Sequence, residues 1–286
     1  GFQIAVHAIV DTAIDTVLNS YEQILRDRPG VERRHRVEHA LMLRDDQLTR
    51  MRDLWVVAST HWVSTFNWFA TCQPTHQGIC VADEAPDLVP GLAYRYRGDS
   101  EFAGALVEAW NAASIPAARN DTPHYSWDYG TFVPLSHLDP KAEVAVVGVP
   151  AVLMANLDEC RRAGAAIHAT ARRMGRRAVF VASTALSHAL VRGRHNMPTP
   201  ERVALDQRFI SLMTAGKVAE LIEWLPQYSR DSVAEMGGRV LATMLGCMDA
   251  MQQDGGALAC EMIGGYAQSS GSGNVTLCAK TAESRA

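Results

Sequence analysis

The sequence predicts an α/β protein: one domain with a central, mostly parallel or mixed sheet flanked by helices. Three observations predict it. Compact apolar, β-branched runs at 56–58, 144–149 and 178–182 have the character of strands buried on both faces. Longer stretches with helical spacing lie between and after these runs. The chain of 286 residues is 48% hydrophobic and 20% charged, which supplies a full core and excludes disordered and fibrous classes.

In chain order, the first strand-like run is 2–6, ending at His7, and a second ends at His61 after W-V-V-A-S-T. Residues 62–100 mix aromatics, Gly and Pro and read as an irregular excursion. A helix is expected over 100–113, a buried strand at 144–149 and a helix over 156–173. The run 178–182 forms the next strand. Pro198-Thr199-Pro200 then gives the start signal of a helix over 200–216. The tail 266–274 (Y-A-Q-S-S-G-S-G-N) is rich in Gly and Ser but has neither G-K-[ST] nor G-x-G-x-x-G, so it reads as a close-packed turn or site wall rather than a phosphate cradle.

The net charge is -4, and no Lys/Arg stripe is long enough to follow a phosphate backbone, so nucleic acid is not expected as a partner. No run of 18 apolar residues is present, so no membrane span is expected, and the opening residues show no secretory signal pattern. The six cysteines (72, 80, 160, 247, 260 and 278) contain no C-x-x-C pair, which speaks against a zinc ribbon and for small buried thiols in a reducing cytoplasm.

Four polar residues fall where apolar runs end or are interrupted: His61, Tyr129 in S-W-D-Y-G-T, His188 after V-F-V-A-S-T-A-L-S, and Glu261 in L-A-C-E-M-I-G-G. The carboxyl ends of strands in open α/β sheets face the ligand crevice. A single histidine there is more often a hydrogen-bonded core residue. Two histidines after A-S-T strands, with a glutamate in apolar surroundings, make a stronger case, because a buried carboxylate needs a partner or a metal. His7 ends its own strand in the same way. Two imidazoles and one carboxylate on one face of a metal leave positions open for substrate and O2, as in non-haem Fe(II) oxygenases. Trp62, Phe66, Trp68 and Phe69 read first as core and second as an apolar wall for a planar ring. His35, His39, His76, His137 and His168 read as structural or surface residues.

Four segments carry a family resemblance: D-L-W-V-V-A-S-T-H-W at 53–62, R-N-D-T-P-H-Y-S-W-D-Y-G-T-F-V-P-L at 119–135, V-F-V-A-S-T-A-L-S-H at 179–188, and E-M-I-G-G-Y with G-S-G-N at 261–274. In these segments the chain resembles the class III extradiol ring-cleavage dioxygenases, catalytic subunit type, and Asp128-Tyr129-Gly130 resembles the 2-aminophenol 1,6-dioxygenase branch. The resemblance implies Fe(II) held by His61 and Glu261, with His188 as acid/base and Tyr129 bonding substrate or oxygen; His7, at its own strand end and 54 residues before His61, is the candidate third ligand. By position, His124, five residues before Tyr129, and His195, one short loop after His188, are candidates for the substrate rim, against plain readings as a backbone-bonded loop histidine and a solvated one. The resemblance also implies opening of a catechol or 2-aminophenol ring by O2 to a muconic-semialdehyde-type product, in a homo-oligomer or with a related subunit.

Residues 1–52 depart from that family. Q-I-A-V-H-A-I-V-D and R-R-H-R-V-E-H-A-L-M-L-R-D-D resemble two strand-and-helix units of a metal-dependent amidohydrolase, in which His7 and His39 would be ligands. An H-x-H strand and a late aspartate of that family have no counterpart. The expected division is therefore 1–52 as an amidohydrolase-like segment and 53–286 as the dioxygenase domain. Two further readings stand beside the enzyme: a non-catalytic dioxygenase-like subunit pairing with an active partner, and a metal-dependent amidohydrolase.

Overall fold

The computed structural model describes residues 53–82, 89–193 and 195–281, the backbone of Ala5–Ala8 and Arg36–His39, and five helical positions between 19 and 26. Strands β1 (Ala5–Ala8) and β2 (Arg36–His39) pair in parallel, with His7 opposite Glu38. The His7 and His39 side chains and all of His35 lie outside the described residues.

The site is built on three strands. β3 (Leu54–Ser64) is long and central, and two later strands, introduced below, flank it in parallel. Along β3 the side chains alternate between faces. Leu54, Val56 and Ala58 enter one core, while Trp55 and Val57 enter a second on the opposite face. That two-sided burial is why the run is continuously apolar rather than alternating.

The segment expected to be irregular contains regular pairing instead. β4 (Trp68–Thr71), β5 (Thr75–Val81) and β6 (Pro90–Arg97) all lie within it, and β5 pairs antiparallel with β6. Helix α1 (Ser100–Ala112) follows, capped by Asp99 accepting from the Phe102 amide. β7 (Ala117–Asn120) then pairs in parallel with β4. The β4–β7 pairing is non-local, and β5 and β6, exposed along much of their length, lack the clean apolar runs that mark a buried strand. The second core joins Tyr94 and Tyr96 of this excursion to Trp127 and Phe132 further along the chain, with Tyr94 stacked on Trp127 at 4.7 Å.

Helix α2 (Tyr129–Leu138) leads to β8 (Ala145–Val152), every residue of which is buried. Helix α3 (Leu157–Arg173) is capped by Asn156, has Asp158 and Glu159 in its first turn and Arg172 and Arg173 in its last, in accord with the helix dipole. β9 (Ala178–Ser183) pairs with β3, giving the order β8-β3-β9. Helix α4 (Pro200–Thr214) starts with the Thr199 cap and proline signal read from the sequence. Helix α5 (Val218–Asp231), a single 3-10 turn (Glu235–Gly238) and helix α6 (Arg239–Gln253) follow. The chain then forms the antiparallel hairpin β10 (Leu258–Ser269) and β11 (Ser272–Thr281), whose Gly/Ser-rich turn is the tail read as a site wall.

All six cysteines are free. Cys72, Cys80, Cys160 and Cys247 are buried, but Cys278 is exposed on β11. Among the described residues no helix is long and apolar enough to cross a membrane.

Candidate active site

Two neighbouring parallel strands deliver the two histidines. Ser59 of β3 pairs with Ser183 of β9, so both chains leave the sheet at the same level. Against β8, the register of β3 slips between Ser59 and Val63. Residues 60–62 are thereby released from that ladder, a local irregularity that turns His61 outward at the sheet's carboxyl edge. Beyond β9, His188 is held by its amide donating to Val233 O at 3.0 Å and by a bridge to Ser272 at the hairpin turn.

The histidines meet at one carboxylate. Glu235 Oε1 lies 3.5 Å from His188 Nε2 and 3.9 Å from His61 Nε2. The other oxygen, Oε2, accepts from the Ala185 amide at 2.6 Å and from Thr184 Oγ1 at 3.2 Å. Those two bonds orient the group and leave Oε1 turned to the histidines. The Glu235 side chain is only 9% exposed, against 30% for His61 and 27% for His188. The turn that carries Glu235 is strained on both sides: Val233 (φ 54) and Met236 (φ 48) adopt the left-handed region that L-residues avoid. Each such residue costs about 1–3 kcal/mol, and the surrounding bonds, including the Glu235 amide to Leu186 O, hold it there.

Tyr129 opens α2 beside them, its ring 4.1 Å from the His61 ring. The cap of α2, Asp128, joins the helix to the site. Its Oδ1 accepts from Ser59 Oγ at 2.5 Å and from the Thr131 amide at 3.0 Å, and Ser59 Oγ accepts from the His61 amide at 3.1 Å. Gly130 is required at its place, because a Cβ there would approach Ser59 Oγ and lie 2.9 Å from His61 Cδ2. The cavity so enclosed has a volume of about 300 Å³, enough for one small ring, and Thr184, Ser272 and Asn274 add polar groups to its wall.

The sequence points to Glu261 as the carboxylate. The structure places Glu261 elsewhere: exposed on β10 opposite Cys278 and outside the cavity lining. In this two-stranded hairpin, Leu258 and Cys260 pack on the core, so period-2 alternation turns Glu261 to solvent. Its apolar neighbours made it look buried. Glu235, in S-V-A-E-M-G-G, is not marked by the sequence because a strained turn carries no periodic signal; the Gly-Gly after it is the only sign the sequence offers. His124 and His195 are exposed and stand outside the lining. Of the aromatic cluster, Trp68 is core and Phe66 is exposed, while Trp62 packs on Tyr125 at 4.8 Å. Among the described residues no set of three His, Cys, Asp or Glu side chains has metal-binding spacing.

The family model for the catalytic LigB subunit of aromatic ring-opening dioxygenases matches residues 42–271. The chain belongs to the LigB family. An amidohydrolase family model matches residues 1–80, overlapping the start of the LigB match. The 3,4-dihydroxyphenylacetate 2,3-dioxygenase of Escherichia coli is 22% identical over 210 residues, 71% of this chain and 76% of that protein. The 2-aminophenol 1,6-dioxygenase beta subunit of a Pseudomonas species is 27% identical over 203 residues, 64% of this chain and 65% of that subunit. The alpha subunit of the same name is 26% identical over 208 residues, covering 69% of this chain and 74% of that one. Among solved structures, the uncharacterized protein JW3007 of Escherichia coli K12 aligns with a TM-score of 0.56 at 18% identity, over 79% of this chain and 84% of that chain. That likeness establishes the mixed α/β fold of this LigB-family chain.

Proposed function

We propose that this chain is an extradiol dioxygenase that uses Fe(II) to open a catechol or 2-aminophenol ring with O2, both oxygen atoms entering a muconic-semialdehyde-type product. The convergence of His61 and His188 on Glu235 Oε1 beside Tyr129, at the carboxyl edge of the sheet, is the observation that supports it most. The donor types fit the metal: a neutral imidazole and a carboxylate suit a first-row divalent ion. The carboxylate's second oxygen is already occupied by protein donors, so one oxygen remains for an ion. His61 and Glu235 would hold the Fe(II). His7 is assigned as the third ligand on its place in a strand 54 residues before His61. When bound, the ion supplies an electron-rich centre at which ring and O2 are brought together.

The chain's own residues do the rest. His188 takes a proton from the incoming hydroxyl or amine at Nε2 and later returns it, the acid/base work of an imidazole. Tyr129 hydrogen-bonds a heteroatom of the bound ring. Gly130 and Val133 let the ring lie close to His61, and Ser272 and Asn274 orient its substituents. We place the protein in the cytoplasm, on its free and mostly buried thiols, and divide it at residues 52 and 53. We also assign it an oligomer, with itself or with a related subunit, because both the alpha and the beta subunit of 2-aminophenol 1,6-dioxygenase are similar to it.

That paired similarity also favours a second reading, a non-catalytic subunit beside an active partner. The amidohydrolase match to residues 1–80 favours a hydrolase, though most of the chain lies outside it. Oxygen-electrode assays with 2-aminophenol, catechol and 3,4-dihydroxybenzoate under added Fe(II), with iron counted per chain, decide among them. Uptake with near-stoichiometric iron supports the dioxygenase. Neither iron nor uptake supports the partner subunit, and hydrolysis without O2 consumption supports the third.

A further inference from the structure

Behind His188 lies a carboxylate that the proposed chemistry does not use. Asp206 of α4 is fully buried. Its Oδ2 accepts from Ser187 Oγ at 2.7 Å and from Tyr266 OH at 2.6 Å; its Oδ1 accepts from Tyr228 OH at 2.8 Å and from the Ser187 amide at 3.2 Å. Three hydroxyl donors and an amide from three separate parts of the chain thus end on one side chain. As an acceptor on both oxygens, the Asp206 side chain satisfies all four donors together. Burial, and after it the Asp206 charge and hydrogen bond, push the Tyr228 and Tyr266 hydroxyls above the ordinary tyrosine range, which keeps both as donors.

The network ends on the residue next to His188. Ser187 is also pinned on its other side, since its carbonyl accepts from the Gly273 amide at 2.9 Å while the Leu186 amide donates to Gly273 O at 2.9 Å. No larger residue than glycine fits there: a Cβ on Gly273 would run into Asp206 Oδ2 and the Tyr266 hydroxyl. The same short segment, Leu186 to His188, receives the Glu235 amide and donates to Val233.

We infer that Asp206 is a positioning residue: through Ser187, Tyr228 and Tyr266 it fixes the His188 imidazole beside Glu235. It touches neither substrate nor metal. The role rests on the reading of His188 as the acid/base, but the placement itself does not.

Two measurements separate these. The first is the rate at which diethyl pyrocarbonate modifies His188, resolved by peptide mass spectrometry and referred to His61 in the same chain. In Ser187→Ala and Asp206→Asn the His188 rate should change at least about threefold while that of His61 stays constant, and Ser187→Thr, which keeps the hydroxyl, should restore the native ratio. The second is turnover: kcat should fall about tenfold or more with KM within about twofold and iron per chain unchanged. An unchanged His188-to-His61 ratio in well-folded Ser187→Ala overturns the inference, as does a kcat loss that Ser187→Thr fails to rescue. Tyr266→Phe, which removes one donor at the network's edge, gives the same readout if Asp206→Asn does not fold. A shifted ratio in a protein whose native form consumes no O2 upholds the positioning role and removes the dioxygenase reading instead.

Discussion

His188 Nε2 stands 3.5 Å from Glu235 Oε1, and the same oxygen faces His61 Nε2 at 3.9 Å. One carboxylate oxygen between two imidazoles is a place for a proton or a cation, and Glu261, exposed on the hairpin, is not. Glu235→Gln should therefore abolish Fe(II) binding and lower kcat/KM by at least about 100-fold, the amide being a poor ligand. Glu261→Gln should leave both within about twofold. Iron per chain and initial rates of O2 uptake on the two variants check this; equal losses in both would remove Glu235 from the site.

The link from Asp128 through Ser59 to His61 makes a second prediction. Asp128 caps α2 and also accepts from Ser59, which in turn receives the His61 amide. Asp128→Ala should cost about 1–2 kcal/mol in stability, the ordinary loss of a cap with a stranded hydroxyl added. Ser59→Ala removes only the link. It should cost less stability but about 10-fold or more in kcat, because the strand end that presents His61 is no longer tied to α2. Urea unfolding alongside steady-state kinetics separates the two effects.

Much of this architecture is legible in the chain. The A-S-T runs are strands, the two histidines do leave neighbouring parallel strands, and Thr199-Pro200 does start a helix. These features rest on local chemistry: β-branching, caps and fixed proline geometry. Glu235 is not legible because its place depends on a left-handed Val233 and on the Thr184 hydroxyl and the Ala185 amide, some fifty positions earlier in the chain. Glu261 resembles a buried carboxylate in the sequence because a stretch such as L-A-C-E-M-I does not reveal whether its second face is covered. The strands β4 and β7 are illegible for a related reason, since each finds its partner some fifty residues away rather than through its own periodicity.

The pH dependence of folding should carry a contribution from His76. It is buried, its Nε2 lies 3.0 Å from Val146 O, and it packs beside Trp127. Burial holds its imidazole below the ordinary value of 6.5, an effect only partly offset by the bond to Val146. In the unfolded chain the ring protonates as the pH drops through that value, while in the folded chain it stays neutral. Stability is thus fully present above pH 6.5 and declines below it. Thermal midpoints measured between pH 7.5 and 5 should fall more steeply for the native chain than for His76→Phe. Parallel curves would show that His76 contributes nothing to the acid limb.

The helix crossing behind the site should govern Glu235 from a distance. α3 and α6 meet through two glycines: a Cβ on Gly164 would run into the Thr243 carbonyl, and one on Gly246 into the Arg161 carbonyl. The approach is close enough for Cys247 Sγ to donate to Gly164 O at 3.1 Å. Alanine is the better helix former by about 1 kcal/mol, so at an exposed helical site the same exchange would stabilise. Here the methyl group must push the helices apart, and overpacking of this kind costs about 1–3 kcal/mol. Gly246→Ala should accordingly lower the urea midpoint despite its gain in propensity. Because α6 starts at Arg239, directly after the turn that carries Glu235, and Arg239 ties that turn to the Leu153 and Ala155 carbonyls, the displacement should reach the site. Fe(II) affinity measured in folded Gly246→Ala below its unfolding transition should drop several-fold. Native affinity in a destabilised variant would mean that the crossing supports the fold alone.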